Sequence, residues 1–243
     1  MKQKVTIEVE HEPVIGLAPI FNEEECIRGW ANNIRLFTDR QFAIVDPRTS
    51  DDTVKILREE CPWVNIWWQN VEAGDSVRGT WGRTGEITYI VEVNRFLHEA
   101  VPVWHWCLWL AGDERLDPRQ AEQIRWAVDA ATVNNTDTIR FQFYDMVTET
   151  TMLDYKNLKL NHKKFFMRSP RLLFNTSAHG GERGHYGMMK TDFAFYHFGN
   201  IAKNYGECWW HGWDGKNIKG VEEVPFEHPF VDWRNDGVEV KSD

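Results

Sequence analysis

The chain is short of the features that would assign it at sight. Its four cysteines (Cys26, Cys61, Cys107 and Cys208) lie far apart and include no CxxC pair. That argues against a disulfide framework or a zinc site and for ordinary buried thiols in a reducing compartment. No apolar run reaches 18 residues and the start carries no signal-peptide pattern, so the expectation is a soluble, cytoplasmic protein, with peripheral attachment to a membrane as the alternative. Basic residues are outnumbered: 28 Lys and Arg face 37 Asp and Glu, for a formal net charge of −9. This excludes a broad electrostatic grip on nucleic acid and leaves room only for a local basic patch. Internal repeats and low-complexity linkers are absent as well.

What remains is a chain of 243 residues, long enough to bury a full core without covalent staples. Thirteen tryptophans are many for this length, and their flat apolar rings suit sugar faces, cores and protein interfaces alike. Apolar segments alternate with helical patterns through the first 130 residues. VIGLAPI at 14–20 reads as a buried first strand, after which Asn22 can cap a helix with Glu23, Glu24 and Glu25 in its first turn. Ile27, Trp30, Ala31 and Ile34 then recur at helical spacing. The second unit repeats this: a strand at 42–45 closed by Asp46, then a helix bearing Val54, Leu57 and Cys61 with Ser50 as its cap. A third apolar stretch (WVNIWW, 63–68) is followed by a glycine-bearing connection through Gly74, Gly79, Gly82 and Gly85, and by a helix over 84–100. Strand and helix alternation of this kind predicts a mostly parallel sheet with right-handed crossovers.

Residues 102–118, PVWHWCLWLAGDERLDP, organise the rest. The run over 103–111 suits a strand buried on both faces, and Asp113 and Glu114 stand just past its carboxyl end, where open α/β sheets bind ligands. Asp117, Pro118 and Gln120 read as the cap, first residue and capping-box partner of the next helix, which leaves Asp113 and Glu114 for other work. Beyond residue 131 the alternation weakens: a strand at 139–144, an aromatic and basic stretch at 165–174, clustered glycines at 180–187 and a short helix near 201–205. The last stretch, rich in Trp, Gly, Pro and His, reads as loops wrapping the domain.

Four blocks in order resemble the family 2 glycosyltransferases of the GT-A fold. APIFNEEE (18–25) resembles that family's opening strand and Asn-Glu turn. VDPRTSDDT (45–53) resembles its Val-Asp-Ser-Gly-Ser-Thr-Asp-Gly-Thr stretch, matching at Asp46, Ser50, Asp51 and Thr53 and departing at Pro47, Arg48 and Asp52. WLAGDERLDP (109–118) resembles Leu-Asp-Ala-Asp-Glu-Arg-Leu-x-Pro, the metal-binding signature, with Ala111 in place of its first acid. His179 and His197 fall where a subgroup resembling lipopolysaccharide-core β-glucosyltransferases carries a Val-His-Glu and a later His-Tyr, and Val93 stands where an Arg usually precedes Asn94. The resemblance is good over 13–131, thinner to about 205, and absent after that.

That likeness implies an α/β, Rossmann-like GT-A domain spanning 1–243, with helices on both faces of its sheet. Residues 13–131 would form the nucleotide-sugar half, 132–205 the mixed acceptor and catalytic half, and 206–243 the wrapping tail. It implies an inverting transfer from a nucleotide sugar, most simply a UDP-sugar, to a glycan or other hydroxyl acceptor, assisted by Mn²⁺ or Mg²⁺. Donor contacts would come from Pro19, Phe21, Asn22, Glu24, Asp46, Arg83 and Gly112. Asp46 is equally a turn residue before Pro47, and Arg83 is either a diphosphate ligand or a solvated loop residue. Asp113 would hold the ion, joined by His197 or leaving His197 as a packed side chain. Glu182 is the candidate base for the acceptor hydroxyl, with Glu114 and Asp192 as rivals. Trp209, Trp210 and Trp213 could stack an acceptor sugar or pack the tail. A catalytically inactive binding or scaffold protein of the same fold is the alternative, motivated by Ala111. A nucleotidyltransferase is disfavoured because no glycine-rich, lysine-bearing phosphate loop follows the first strand.

Overall fold

The period-two pattern of the first strand divides the domain into two layers. In a computed structural model of the chain, which describes residues 11–70, 83–154, 161–170, 173–174, 182–183, 187–202 and 222–242, β1 (Val14–Ile20) is buried along its whole length. Val14, Ala18 and Ile20 join a core with Ile27, Trp30 and Ile34 of α1 (Ile27–Ile34), Ile56 and Leu57 of α2 (Thr53–Glu59), and Ile124 and Val128 of α4 (Ala121–Val133). The alternate residues Ile15 and Leu17 pack on Ile90, Val93, Phe96 and Leu97 of α3 (Arg83–Ala100). Helices therefore cover both faces of the sheet, as side chains alternating across a strand require.

The sheet is parallel in its first half and mixed in its second. The strands β4 (Trp106–Trp109), β1, β2 (Arg40–Val45) and β3 (Val64–Trp68) lie side by side and parallel. Next to β4 comes β8 (Asn161–Met167), antiparallel to both β4 and β6 (Thr138–Thr148). A hairpin carries β6 into β7 (Thr151–Asp154), with β12 (Glu222–Pro225) outside it. A further strand, β11 (Met189–His197), runs parallel to β6 and antiparallel to the three-residue β5 (Glu114–Leu116). The result is one α/β domain, Rossmann-like in its amino-terminal half. No helix among the described residues is long and apolar enough to cross a membrane.

Several local expectations are corrected by stronger partners. Helix α1 begins at Ile27 with Cys26 at its cap and no acid in its first turn, because Asn22 adopts a left-handed φ of 51° and uses its side chain elsewhere. Helix α2 has Asp52 rather than Ser50 at its N-cap position, with no side-chain capping bond from it; Asp51 Oδ1 accepts from the Thr53 amide at 3.0 Å. The central strand is shorter than the apolar run: Trp104 takes φ 70° and stands 55% exposed, so pairing begins only at Trp106. Asp117 does cap the next segment, accepting from the Arg119 amide at 3.0 Å, but that segment is a 3-10 turn (Pro118–Gln120) leading into α4. Gln120 completes no capping box; its Oε1 accepts from the Ala194 amide at 2.9 Å.

The stretch from 228 to 242 lies against α1. Gly29 donates its amide to the Arg234 carbonyl at 2.8 Å, and Asn33 donates to the Gly237 carbonyl at 2.6 Å. A Cβ at Gly29 would fall 2.0 Å from the Trp233 carbonyl oxygen, a contact that backbone can relieve only by moving. Gly29→Ala is expected to lower stability by about 1–3 kcal/mol in denaturant unfolding, an overpacking cost at a closed interface. An unchanged midpoint would show that the segment does not rest on α1.

Candidate functional site

The parallel strands bring their carboxyl ends to one edge, where three of the sequence-predicted residues lie. Asn22 follows β1, Asp46 follows β2, and Asp113 follows β4. The first two blocks form a reciprocal clamp between the β1–α1 and β2–α2 loops. Asn22 Oδ1 accepts from the Ser50 amide at 2.9 Å, and Glu24 Oε2 from the Asp52 amide at 2.9 Å. In return Asp51 accepts from the Glu24 amide at 3.1 Å, and Thr53 Oγ1 from the Glu23 amide at 2.7 Å. The side chains of Asn22 and Glu24 thus spend their acceptors on loop amides, which leaves shaping rather than direct contact as their evident contribution. Pro19 lies in β1 opposite Ile44, and Phe21 is half-buried just past the strand.

Asp46 is buried and held by its neighbour. Its carboxylate accepts from the Arg48 amide at 2.9 Å and from Arg48 Nε at 2.7 Å, with Arg48 Nη2 closing the fork. The local chemistry is a turn Asp reinforced by a bidentate guanidinium. Arg48 is one of the departures from the family pattern, and it changes what this strand end presents.

Across the edge, a fully buried guanidinium holds the 112–114 turn. Arg115 Nη1 donates to the carbonyls of Gly112 (2.8 Å) and Glu114 (2.7 Å), Nη2 to Cys26 (2.6 Å), and Nε to Trp233 (2.9 Å). Burial lowers its pKa to about 10 against the opposing pull of Cys26, Asp113, Glu23 and Glu114, so it stays charged at neutral pH. Gly112 packs on the buried Glu23, whose carboxylate would sit 3.1–3.2 Å from any Cβ there. Glu114 is committed: Oε2 accepts from the Ala111 amide at 2.8 Å and from Lys164 Nζ at 2.5 Å. Both contacts fall on one oxygen and tie the side chain to the 111–114 turn and to β8, which counts against Glu114 as a base free to meet an acceptor.

Strand register then delivers His197 to Asp113. Residue 197, the last of β11, pairs with Glu114 on one side and Asp145 on the other. Its Nδ1 lies 2.8 Å from Asp145 Oδ1, and its Nε2 lies 3.8 Å from Asp113 Oδ2. Burial alone would depress the imidazole, but Asp113, the Asp145 hydrogen bond and Glu114 together raise its pKa to about 9. Two residues on, the Gly199 backbone packs against this pair: a Cβ there would sit 2.6 Å from Nε2 and 3.0 Å from Asp113 Oδ2, so only glycine allows the approach. One carboxylate oxygen and one imidazole nitrogen 3.8 Å apart are donors of the kind a Mn²⁺-type ion takes, with water and phosphate oxygens needed to supply the other ligands. Among the described residues no group of three or more His, Cys, Asp or Glu side chains converges as a metal cage.

Most other candidates lie outside the described residues. Arg83 opens α3, but its side chain falls outside the described residues, as do the side chain of Glu182 in the two-residue β10 (Glu182–Arg183) and all of His179, Trp209, Trp210 and Trp213. Asp192 is exposed on β11. The residues the sequence reading missed are Asp145, Lys164, Arg115 and Gly199. Asp145 did leave a trace, as the one charged residue in the aromatic-rich FQFYDMV, but its partner is 52 positions away.

No family model matches the chain, and no curated protein sequence does. Solved structures give only distant likenesses. A 4-diphosphocytidyl-2C-methyl-D-erythritol synthase shares 12% identity over 66% of this chain and 76% of its own, with a TM-score of 0.39. HddC from Yersinia pseudotuberculosis shares 11% over 82% and 98%, at 0.41. A UDP-glucose pyrophosphorylase variant from Leishmania major, in complex with UDP-glucose, shares 11% over 68% and 46%, at 0.31. At such scores the likeness carries no argument, and the architecture rests on the chain's own strand order.

The raised imidazole has a definite sign in stability. A group whose pKa rises from 6.5 to about 9 on folding stabilises the protein fully below pH 6.5 and loses that contribution as the pH climbs through 9. In metal-free protein, the stability difference between wild type and His197→Gln is expected to be on the order of 2 kcal/mol at pH 6 and to shrink toward zero above pH 9. Urea unfolding of both proteins across this range reads it directly, and a pH-independent difference would contradict the charged pair.

Proposed function

We propose that the chain is a nucleotide-sugar-dependent transferase, a GT-A-type glycosyltransferase that moves a sugar from a UDP-linked donor to an acceptor hydroxyl with inversion. The observation that carries this reading is the meeting of Asp113 and His197 Nε2, 3.8 Å apart, at the carboxyl edge of the parallel strands, on the same edge as Asp46, whose strand lies beyond β1. Open sheets bind ligands in that crevice. A Mn²⁺ or Mg²⁺ ion bound by these two side chains would offset the negative charge on the departing nucleoside diphosphate.

The protein's own groups divide the remaining work. Arg115 fixes the turn from which Asp113 projects, and Lys164 neutralises Glu114 so that the two adjacent acids do not carry equivalent charge. The nucleoside would meet the Asp46–Arg48 fork rather than a bare carboxylate, with Pro19 and Phe21 bordering the base. Arg83 is proposed for the diphosphate, where a guanidinium fork matches phosphate oxygens. Glu182 is proposed to take the acceptor's proton, since Glu114 is tied to Lys164.

UDP is expected to raise the melting temperature more with Mn²⁺ than without it, by mass action. In Asp113→Ala the increment due to Mn²⁺ should vanish while any UDP effect alone persists. Persistence of the Mn²⁺ increment would place the ion elsewhere. A second reading, a binding protein without turnover, is favoured by Ala111 and by the closure of Arg48 over Asp46. Slow release of free sugar and UDP from the donor in the absence of acceptor separates the two, since a pure binder releases neither.

A further inference from the structure

We propose that Asp145 is a positioning residue that fixes the tautomer and ring orientation of His197, so that Nε2 faces Asp113 ready to bind a divalent cation. The inference rests on the metal-assisted reading of the Asp113–His197 pair and deepens it by naming a residue outside the four sequence blocks.

An ionised carboxylate can only accept hydrogen bonds, so the 2.8 Å contact between Asp145 Oδ1 and His197 Nδ1 places a proton on Nδ1. When the ring is neutral, its lone pair therefore sits on Nε2. That nitrogen points at the Asp113 carboxylate across 3.8 Å, too far for a hydrogen bond. In the protonated ring Nε2 carries an N–H that faces Asp113 as a charged pair, and a divalent cation bound there would displace that proton and take the lone pair. Histidines that ligate metals commonly donate their other ring N–H to a carboxylate, which fixes orientation and raises ligand basicity.

Two further features restrain the ring, and the commitment of Glu114 singles out Asp145 as its partner. Residue 197 is held between Glu114 and Asp145 by register, so its backbone cannot slide without breaking both pairings. Phe143 packs against the imidazole at 5.8 Å between ring centroids and against Phe195 at 4.9 Å, which restricts rotation of the ring. Glu114, the other acid in the row, has its Oε2 bonded to Lys164 and the Ala111 amide. Asp145, with its side chain only 10% exposed, is thus the acid in bonding contact with Nδ1.

The test uses Mn²⁺ alone as probe, on the full chain, with calorimetric binding and ring ¹⁵N shifts as readouts. In metal-free wild type, taken at a pH where the ring is neutral, the ¹⁵N shifts should report the Nδ1–H form. Asp145→Ala should lose that preference and bind Mn²⁺ about 10–100-fold more weakly. Asp145→Asn, which keeps an oxygen acceptor and guards against a folding defect in the alanine variant, should lose less than about 10-fold. If Asp113→Ala and His197→Ala abolish binding while Asp145→Ala keeps both the tautomer and the affinity, the role of Asp145 is refuted and the metal reading survives. If Asp113→Ala and His197→Ala leave the affinity unchanged, the metal reading itself fails and takes the proposal with it.

Discussion

The candidate site depends on a cation that has no water around it. Arg115 is buried completely and spends its donors on four main-chain carbonyls, drawn from the 112–114 turn, the start of α1 and the carboxyl-terminal segment. Removing one partner of a buried, hydrogen-bonded charge costs on the order of 3–5 kcal/mol, because the groups left behind cannot recover solvent. The guanidinium also lies over the Trp233 ring, 5.6 Å from its centroid. One side chain thus couples the fold of the terminal segment to the geometry of the turn that presents Asp113.

Around that strut, charge is distributed by register rather than by sequence proximity. Glu114, His197 and Asp145 form a row across β5, β11 and β6, with Lys164 entering from β8 and lying over the Phe195 ring at 4.1 Å. Each acid meets a different neighbour: an ammonium for Glu114, imidazole Nδ1 for Asp145, and imidazole Nε2 at longer range for Asp113. Placing unlike partners on neighbouring carboxylates separates their roles, so that acids close together in space need not do the same job. The clamp between the loops at 22–24 and 50–53 holds the adjacent strand ends in place, and Gly199 lets its backbone pack directly against the pair Asp113 and His197.

Much of the amino-terminal half could be read from the residues. VIGLAPI became β1 over the same seven positions, because a strand buried on both faces leaves an apolar run that no other element of that length explains. Helix starts were less legible. Asn22, Ser50 and Gln120 each have cap-forming side chains, but the folded chain gives Asn22 and Gln120 distant partners and starts α2 after Asp52, which makes no side-chain capping bond. Local capping chemistry lost to long-range contacts, each worth about as much as a cap. In the second half the sequence showed strands without their order: nothing in FQFYDMV states that β6 will lie beside β11, so the acid at 145 could not be joined to the histidine at 197. The placement of Asp113 at the strand edge was legible; the neighbours that tune it were not.

The central claim is that Asp113 and His197 share one divalent cation at the edge of the parallel strands. Pulsed electron paramagnetic resonance of Mn²⁺ bound in the presence of UDP tests it most directly. The account predicts a ¹⁴N coupling from one imidazole that disappears in His197→Gln, together with ³¹P coupling from the diphosphate. A Mn²⁺ signal carrying ³¹P coupling but no imidazole nitrogen, unchanged by the substitution, would contradict it.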